Sequence, residues 1–248
     1  MGNPLKHKTV VVIGGSSGMG LAVAKQSSQS AARVVVASRS QDKLKAAAAQ
    51  VGGDIHWQVV DTTDEASVAD LFERLGAVDH LVIPGSSVKT GTLREMPLAD
   101  GLFTMQSKFW GPYLCAKYAR INPEGSITFF SGILSRRPGQ NDAVLASVNA
   151  AVEAMGRALA KDLAPVRVNV ISPGMTAGTG AYLKMPETAR EGMFSGIAER
   201  LPVGRVGQPE DIADAALMLM TNGFITGIVL DLSLIHISEP TRLKTRSG

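Results

Sequence analysis

Residues Thr9–Gly20 read TVVVIGGSSGMG, five consecutive β-branched residues followed at once by a turn rich in glycine. An unbroken β-branched run suits a strand buried on both faces, as in a parallel sheet; a strand with one wet face would alternate. Gly14, Gly18 and Gly20 form a G-x-x-x-G-x-G spacing. Missing side chains there let the backbone approach a pyrophosphate, and the N–H groups that open the next helix favour negative charge. Glycines also serve ordinary tight turns, so the motif takes its meaning from its place after a buried strand and before a helix.

Similar runs recur at Arg33–Ala37, Ile55–Val60, His80–Ile83, Ser126–Phe130, Val166–Ile171 and Gly227–Leu232. Between them lie segments of helical period, among them Gln41–Gln50, Asp64–Leu75, Leu98–Arg120, Asp142–Leu163 and Pro209–Met220. Strand alternating with helix predicts an α/β fold, a doubly wound parallel sheet of about seven strands with helices on both faces. Ligands of such sheets bind beyond the carboxyl ends of the strands. No linker or internal repeat divides the pattern, so residues 1–231 read as a single domain. The stretch LIHISEPTRLKTRSG (Leu234–Gly248) has no period and resembles translated cloning sequence, so residues 232–248 are expected to form a non-native or disordered tail.

Of the 248 residues, 45% are hydrophobic and 19% charged, which supports a large core and argues against disorder. The net charge is only +3. His236, Arg242, Lys244 and Arg246 lie in the tail, so no nucleic-acid or membrane partner is expected of the body. Cys115 is the only cysteine, which excludes an internal disulfide and suits a reducing compartment. The four histidines lack metal-ligand spacing, and no metal site is expected. No segment reads as a signal peptide or as the roughly 20 apolar residues of a membrane helix, and the expectation is a soluble cytoplasmic protein.

The end of the second strand separates two dinucleotides. A sheet that binds NAD usually places an acid there for the ribose hydroxyls, but VVVASRS (Val34–Ser40) offers Ser38, Arg39 and Ser40. A carboxylate that would repel a 2′-phosphate is absent, and a guanidinium can pair with that phosphate bidentately. The expected cofactor is therefore NADP(H). The bland alternative is a solvated surface arginine.

With these segments in view, the chain is similar to the short-chain dehydrogenase/reductase family from about Lys8 to Asp231. GGSSGMG (Gly14–Gly20) resembles the family's glycine motif, with Ile13 where threonine is usual; Ser16, Ser17 and Met19 join its glycines as cofactor contacts. In DTTD (Asp61–Asp64), Asp61 and Thr62 resemble the pair that contacts adenine. In RVNVISPGMT (Arg167–Thr176), Pro173 and Gly174 resemble the Pro-Gly that abuts the nicotinamide, with Thr176 beside it. The resemblance implies a Rossmann-like fold, a nicotinamide cofactor, oxidoreductase activity and a homodimer or homotetramer.

The departures from the family pattern gather at the chemistry. The Asn-Asn-Ala-Gly after the fourth strand reads IPGS (Ile83–Ser86), which leaves Gly85 and Ser86 as cofactor contacts. The asparagine of the next long helix aligns with Lys108 in KFWG. The serine after the fifth strand aligns with Ser131, with Gly132 as a competing alignment one residue on. The Tyr-x-x-x-Lys pair falls on Leu145 and Asn149 in LASVN, so KFWG, FFSG and LASVN together resemble an atypical branch of the family. In the family mechanism hydride passes between nicotinamide and a carbonyl carbon while the tyrosine moves the proton and the lysine lowers its pKa. Leu145 transfers no proton, while Asn149 retains hydrogen bonding to ribose.

These residues make Ser131, Lys108 and Asn149 the catalytic candidates. Lys108 and Ser131 would polarise an oxygen, Lys108 or water would supply the proton, and Asn149 and Lys108 would also border the cofactor. The alternative for Lys108 is a side chain reaching solvent along its helix. Phe109 and Trp110 read as core or oligomer contacts, Arg136 and Arg137 as solvated or as partners of an anionic substrate, and Asp142 as a helix N-cap. Thr176–Arg200 sits where the family's substrate lid lies, and the Ala-rich Ala143–Ala164 helix has a narrow face suited to pairing between copies. The expected function is an NADP(H)-dependent oxidoreductase of a small carbonyl or alcohol. A catalytically silent NADP(H)-binding regulator or partner subunit, and a non-redox enzyme reusing the pocket, are the competing readings.

Overall fold

Each β-branched run becomes a strand. In the computed structural model, which describes residues 3–183 and 185–233, the strands are β1 (Thr9–Ile13), β2 (Arg33–Ser38), β3 (Ile55–Val59), β4 (Ala77–Ile83), β5 (Arg120–Phe130), β6 (Arg167–Pro173) and β7 (Val229–Leu232). The helices are α1 (Gly18–Gln29), α2 (Gln41–Val51), α3 (Glu65–Leu75), α4 (Leu98–Met105), α5 (Gly111–Tyr118), α6 (Ala143–Asp162), α7 (Gly180–Leu183), α8 (Glu187–Ala198) and α9 (Pro209–Thr221). A π-helical turn (Gln106–Trp110) joins α4 to α5, and a short 3-10 turn (Ile133–Ser135) follows β5.

The strands pair in the order β3-β2-β1-β4-β5-β6-β7, all parallel. The chain winds outward from β1 in one direction and then returns to wind in the other, so the topological switch point lies between β1 and β4. Successive residues of a strand face opposite sides, which divides the core in two. Val10, Val12, Val34, Val36 and Ile171 face α1, α2 and α9, whereas Val11, Val35, Leu81, Ile127 and Phe129 face α3, α5 and α6. Each fully buried aliphatic side chain contributes roughly 1.5–3 kcal/mol. On α6, a methyl group at Gly156 would overlap Val170, so this glycine lets the helix lie directly on the sheet.

Several boundaries differ from expectation. The helix expected over Leu98–Arg120 is three pieces. Pro112 has no N–H to bond the Lys108 carbonyl, and Gly111 N–H instead reaches the Gln106 carbonyl, a bond five residues back that makes the π turn. Arg120 opens β5. The β7 strand starts at Val229, because Gly227 turns at φ +74°, and it includes Leu232. The rest of the segment expected to be a tail, apart from Ser233, lies outside the described residues. Within Thr176–Arg200 the chain forms α7 and α8, which no sequence period had indicated. Asp142 occupies the N-cap position of α6 but its side chain makes no capping bond, whereas Asp64 caps α3 by accepting from Ala66 N–H. By length and mean hydropathy alone α6 could cross a membrane, although it carries Glu153, Arg157, Lys161 and Asp162. Here its Val148, Val152 and Gly156 face is buried in the fold.

Candidate active site

The carboxyl edge of the sheet carries two constructions. The first is made of backbone. Gly14 has φ +82°, and a methyl group on it would overlap Gly85 Cα; a Cβ on Gly85 would in turn lie 2.6 Å from Gly14 Cα. The turns after β1 and β4 thus touch through their main chains, with Gly85 N–H donating to the Ile13 carbonyl at 3.0 Å. Gly20 lies against the Gly14 carbonyl, and a Cβ on Gly18, at φ +52°, would come 3.1 Å from the Gly178 carbonyl. Ser17 is the N-cap residue of α1 and makes no side-chain capping bond, so the amides of Gly18, Met19 and Gly20 open the helix at this cleft.

The rim continues along β2 and β3. Ser38 Oγ donates to Ser16 Oγ at 3.1 Å, and Ser40 caps α2 through Lys43 N–H. The exposed Arg39 guanidinium donates to Ser87 Oγ at 2.9 Å, spanning the switch point. Asp61 follows β3, and its carboxyl is held below its ordinary value chiefly by the Thr63 N–H, with the Thr63 hydroxyl and the Arg39 charge adding and burial opposing. Thr62 lies so close to α5 that a Cβ on Gly111 would come 3.0 Å from its hydroxyl. Ser86 is exposed, and its neighbour Ser87 donates its N–H to Ser107 Oγ at 2.8 Å. After β6, Gly174 N–H donates to the Leu232 carbonyl, and the buried Thr176 hydroxyl donates to the Gly174 carbonyl at 3.2 Å. Pro173 is half-buried beside them.

The second construction, between β5 and α6, is made of side chains. Lys108 is 9% exposed and points inward from the π turn. Its Nζ donates to the Ser131 carbonyl at 3.1 Å and the Phe130 carbonyl at 3.4 Å, and burial pulls its pKa from 10.5 to about 8. It does not run along its helix to solvent. Asn149 is 2% exposed, and its Oδ1 is buried without a partner, while a Cβ on Gly132 would come 3.0 Å from its Nδ2. Whichever end of the amide is oxygen, one end awaits a partner.

The Ser131 hydroxyl, expected to polarise a substrate oxygen, donates to Glu153 Oε1 at 3.0 Å. The position whose side chain would face Asn149 is Gly132, the competing alignment. Sequence reasoning also missed Glu153, which is 6% exposed and accepts from Ser135 Oγ at 2.6 Å and Arg136 Nη1 at 3.0 Å as well. The available signal was an acid on the buried Val148, Val152, Gly156 stripe of α6, since an acid is seldom buried unless paired. Arg136, read as solvated or as a substrate contact, pairs with Glu153 and with Asp231 at 3.0 Å. Trp110 is 45% exposed and stacks edge-on with Phe109 and Tyr113, so it is not a core residue. Among the described residues no cluster of His, Cys, Asp or Glu is arranged to hold a metal ion.

The comparisons with known proteins agree with this architecture. A family model described as enoyl-(acyl carrier protein) reductase matches residues 14–232. A short-chain dehydrogenase/reductase of Acremonium sp is 33% identical over 245 residues, covering 90% of this chain and 92% of the relative. The 3-oxoacyl-(acyl-carrier-protein) reductase of Homo sapiens is 30% identical, covering 90% and 95%. Among solved structures, a small-chain dehydrogenase in complex with NADPH superposes with TM-score 0.76 at 37% identity, covering 92% of this chain and 97% of its own. The MalC reductase/Diels-Alderase of Malbranchea aurantiaca does so with TM-score 0.86 at 27% identity, covering 93% and 96%.

Proposed function

The chain belongs to the short-chain dehydrogenase/reductase family, and from that premise we propose that it is an NADP(H)-dependent oxidoreductase of a small carbonyl or alcohol, with Lys108 as its proton source. The observation that carries the proposal is the buried Lys108 amine on the Ser131 and Phe130 carbonyls, with the Asn149 Oδ1 buried and unpartnered beside the next residue, Gly132. An acid–base group works best with a pKa near the working pH. Burial brings this amine there without a tyrosine to tune.

The residues present fit a nicotinamide dinucleotide. The Gly14, Gly20 and Gly85 contacts hold the two turns together through their main chains, the Gly18, Met19 and Gly20 amides that open α1 would receive a pyrophosphate, and the buried Asn149 Oδ1 suits a ribose hydroxyl. Arg39 would hold a 2′-phosphate, exchanging its bond to Ser87 for a charged one. Asp61 and Thr62 would border the adenine, and Pro173, Gly174 and Thr176 the nicotinamide side. When bound, NADP(H) supplies or accepts hydride. Lys108 Nζ, with three donors, polarises the substrate oxygen and gives it a proton in reduction or takes one in oxidation. The NADPH complex of the 37% identical neighbour supports the cofactor choice.

A homodimer or homotetramer is part of the proposal, supported by the exposed Leu98, Leu102 and Trp110 on α4 and the π turn; light scattering measures it. The functional test is twofold. Fluorescence titration is expected to show NADPH bound at least tenfold more tightly than NADH. A broad carbonyl panel is expected to show NADPH oxidation that Lys108→Met reduces roughly 100-fold. Tight NADPH binding with no oxidation of any substrate would instead favour a silent regulator or partner subunit.

A further inference from the structure

We infer that the Arg136–Glu153 pair governs the charge state of the Lys108 amine: the two charged groups do not touch, and Ser131, bonded to both, holds them close enough for their charges to interact. The inference rests on the reading of Lys108 as the proton source. Ser131 faces two ways, its carbonyl accepting from Lys108 Nζ and its hydroxyl donating to Glu153 Oε1. A serine hydroxyl carries a single proton, so with that proton on Glu153 only lone pairs remain for anything else in the site. Lys108 meets two main-chain carbonyls where a buried ammonium is usually matched by a carboxylate. The carboxylate is one residue away, and it is turned to Ser131, Ser135 and Arg136.

The other charges around the π turn are engaged elsewhere or lie outward. On α4, Asp100 pairs with Lys89, and on α5, Lys117 pairs with Glu65. On α6, Arg157 and Lys161 are exposed and Glu153 alone is buried; on β5, Arg120 and Glu124 are exposed at the opposite end of the strand. Arg136 also pairs with Asp231, which brings a second acid to the same cluster. With Arg136 present, Glu153 is compensated, and burial is what sets Lys108. An uncompensated unit charge roughly 10 Å away, at an effective dielectric of ~20, moves an amine by about one pH unit.

The test needs no substrate. The full chain, carrying carbon-13 in its lysine side chains, is titrated by NMR, and the Lys108 Cε signal is identified by its loss in Lys108→Met. Arg136→Gln leaves Glu153 and Asp231 without their shared cation and is expected to raise the Lys108 midpoint by about one pH unit; Glu153→Gln removes the nearer negative charge, leaving Arg136 paired with Asp231, and is expected to lower it by a similar amount. The double variant returns toward the wild-type midpoint, and Arg136→Lys, which keeps the charge, retains it. A purely structural role would not give shifts of opposite sign. Shifts of the same sign in the two single variants, or an unmoved midpoint in Arg136→Gln, overturn the inference. If Glu153→Gln does not fold, the contrast between Arg136→Gln and Arg136→Lys decides it. Failure here is distinct from failure of the proposed function, which is read from turnover of Lys108→Met: unchanged turnover removes the proton-source role and leaves the measured coupling standing.

Discussion

The turn after β1 and the segment after β5 both leave the carboxyl edge of the sheet, yet they are built on opposite terms. At Gly14, Gly18 and Gly20 side chains are absent, and main chain packs on main chain or faces a cleft. At Phe130–Gly132 polar side chains from elsewhere close on the chain: Lys108 of the π turn donates to two main-chain carbonyls, Glu153 of α6 accepts from the Ser131 hydroxyl, and Asn149 of α6 lies against Gly132. The first construction depends on φ and on bare space, which tolerate almost no substitution. The second depends on a network of bonds, whose members can exchange while the wall keeps its shape.

Substitution of the two glycines that stand for these constructions gives the largest expected contrast. Gly14→Ala combines φ +82° with overlap on Gly85 Cα, and it is expected to destabilise by roughly 4 kcal/mol and to weaken NADPH binding at least 100-fold. Gly132→Ala meets only the end of the Asn149 amide, a movable group, and is expected to cost under ~1 kcal/mol. Thermal unfolding and fluorescence titration check both, and equal losses would erase the contrast.

Next in size is the pH dependence carried by Lys108. Burial lowers it from 10.5 to about 8. Between those values the unfolded chain holds a proton that the folded chain has released, so stability rises with pH across this window. Below pH 8 both states are protonated and the full penalty, about 3 kcal/mol, applies. Lys108→Met is therefore expected to be the more stable protein at pH 7, with the difference shrinking toward pH 10. Cys115, pushed up to about 12 by burial, titrates in both proteins and cancels in the comparison. Denaturant melts at pH 7 and pH 10 measure it; a difference independent of pH would remove the buried ammonium.

At the cofactor rim, Arg39→Ala is expected to weaken NADPH binding about tenfold, near 1.4 kcal/mol, with NADH binding unchanged. An equal loss for both nucleotides would mean that Arg39 shapes the loop through Ser87 and does not read the phosphate. The smallest contrast lies between two helix starts. Asp64→Ala removes a capping bond to Ala66 N–H and is expected to cost about 1 kcal/mol, whereas Asp142→Ala removes none and is expected to cost under ~0.5 kcal/mol. Urea unfolding of the two variants compares them directly.

Much of the architecture was legible because it is local. Val10–Ile13 and Val34–Val36 read as strands buried on both faces, and the structure buries them on both faces. The π turn was less legible. Gly111 and Pro112 mark it in hindsight, but a period of helical residues continues through both. Helix α8 buries no residue fully, so it carries no clear apolar period to read.

The sequence by itself determined the order of strands and helices, the two-sided burial of the sheet and the position of the glycine cleft, because each depends on residues within a few positions of one another. Only the tertiary structure decided that the Ser131 hydroxyl belongs to Glu153, that Lys108 is buried on two carbonyls, and that Arg136 is held by acids on α6 and β7. Those partners are 17 to 95 residues apart in the chain. A hydroxyl or an amine has several acceptors open to it, and folding alone selects which of them comes within hydrogen-bond reach.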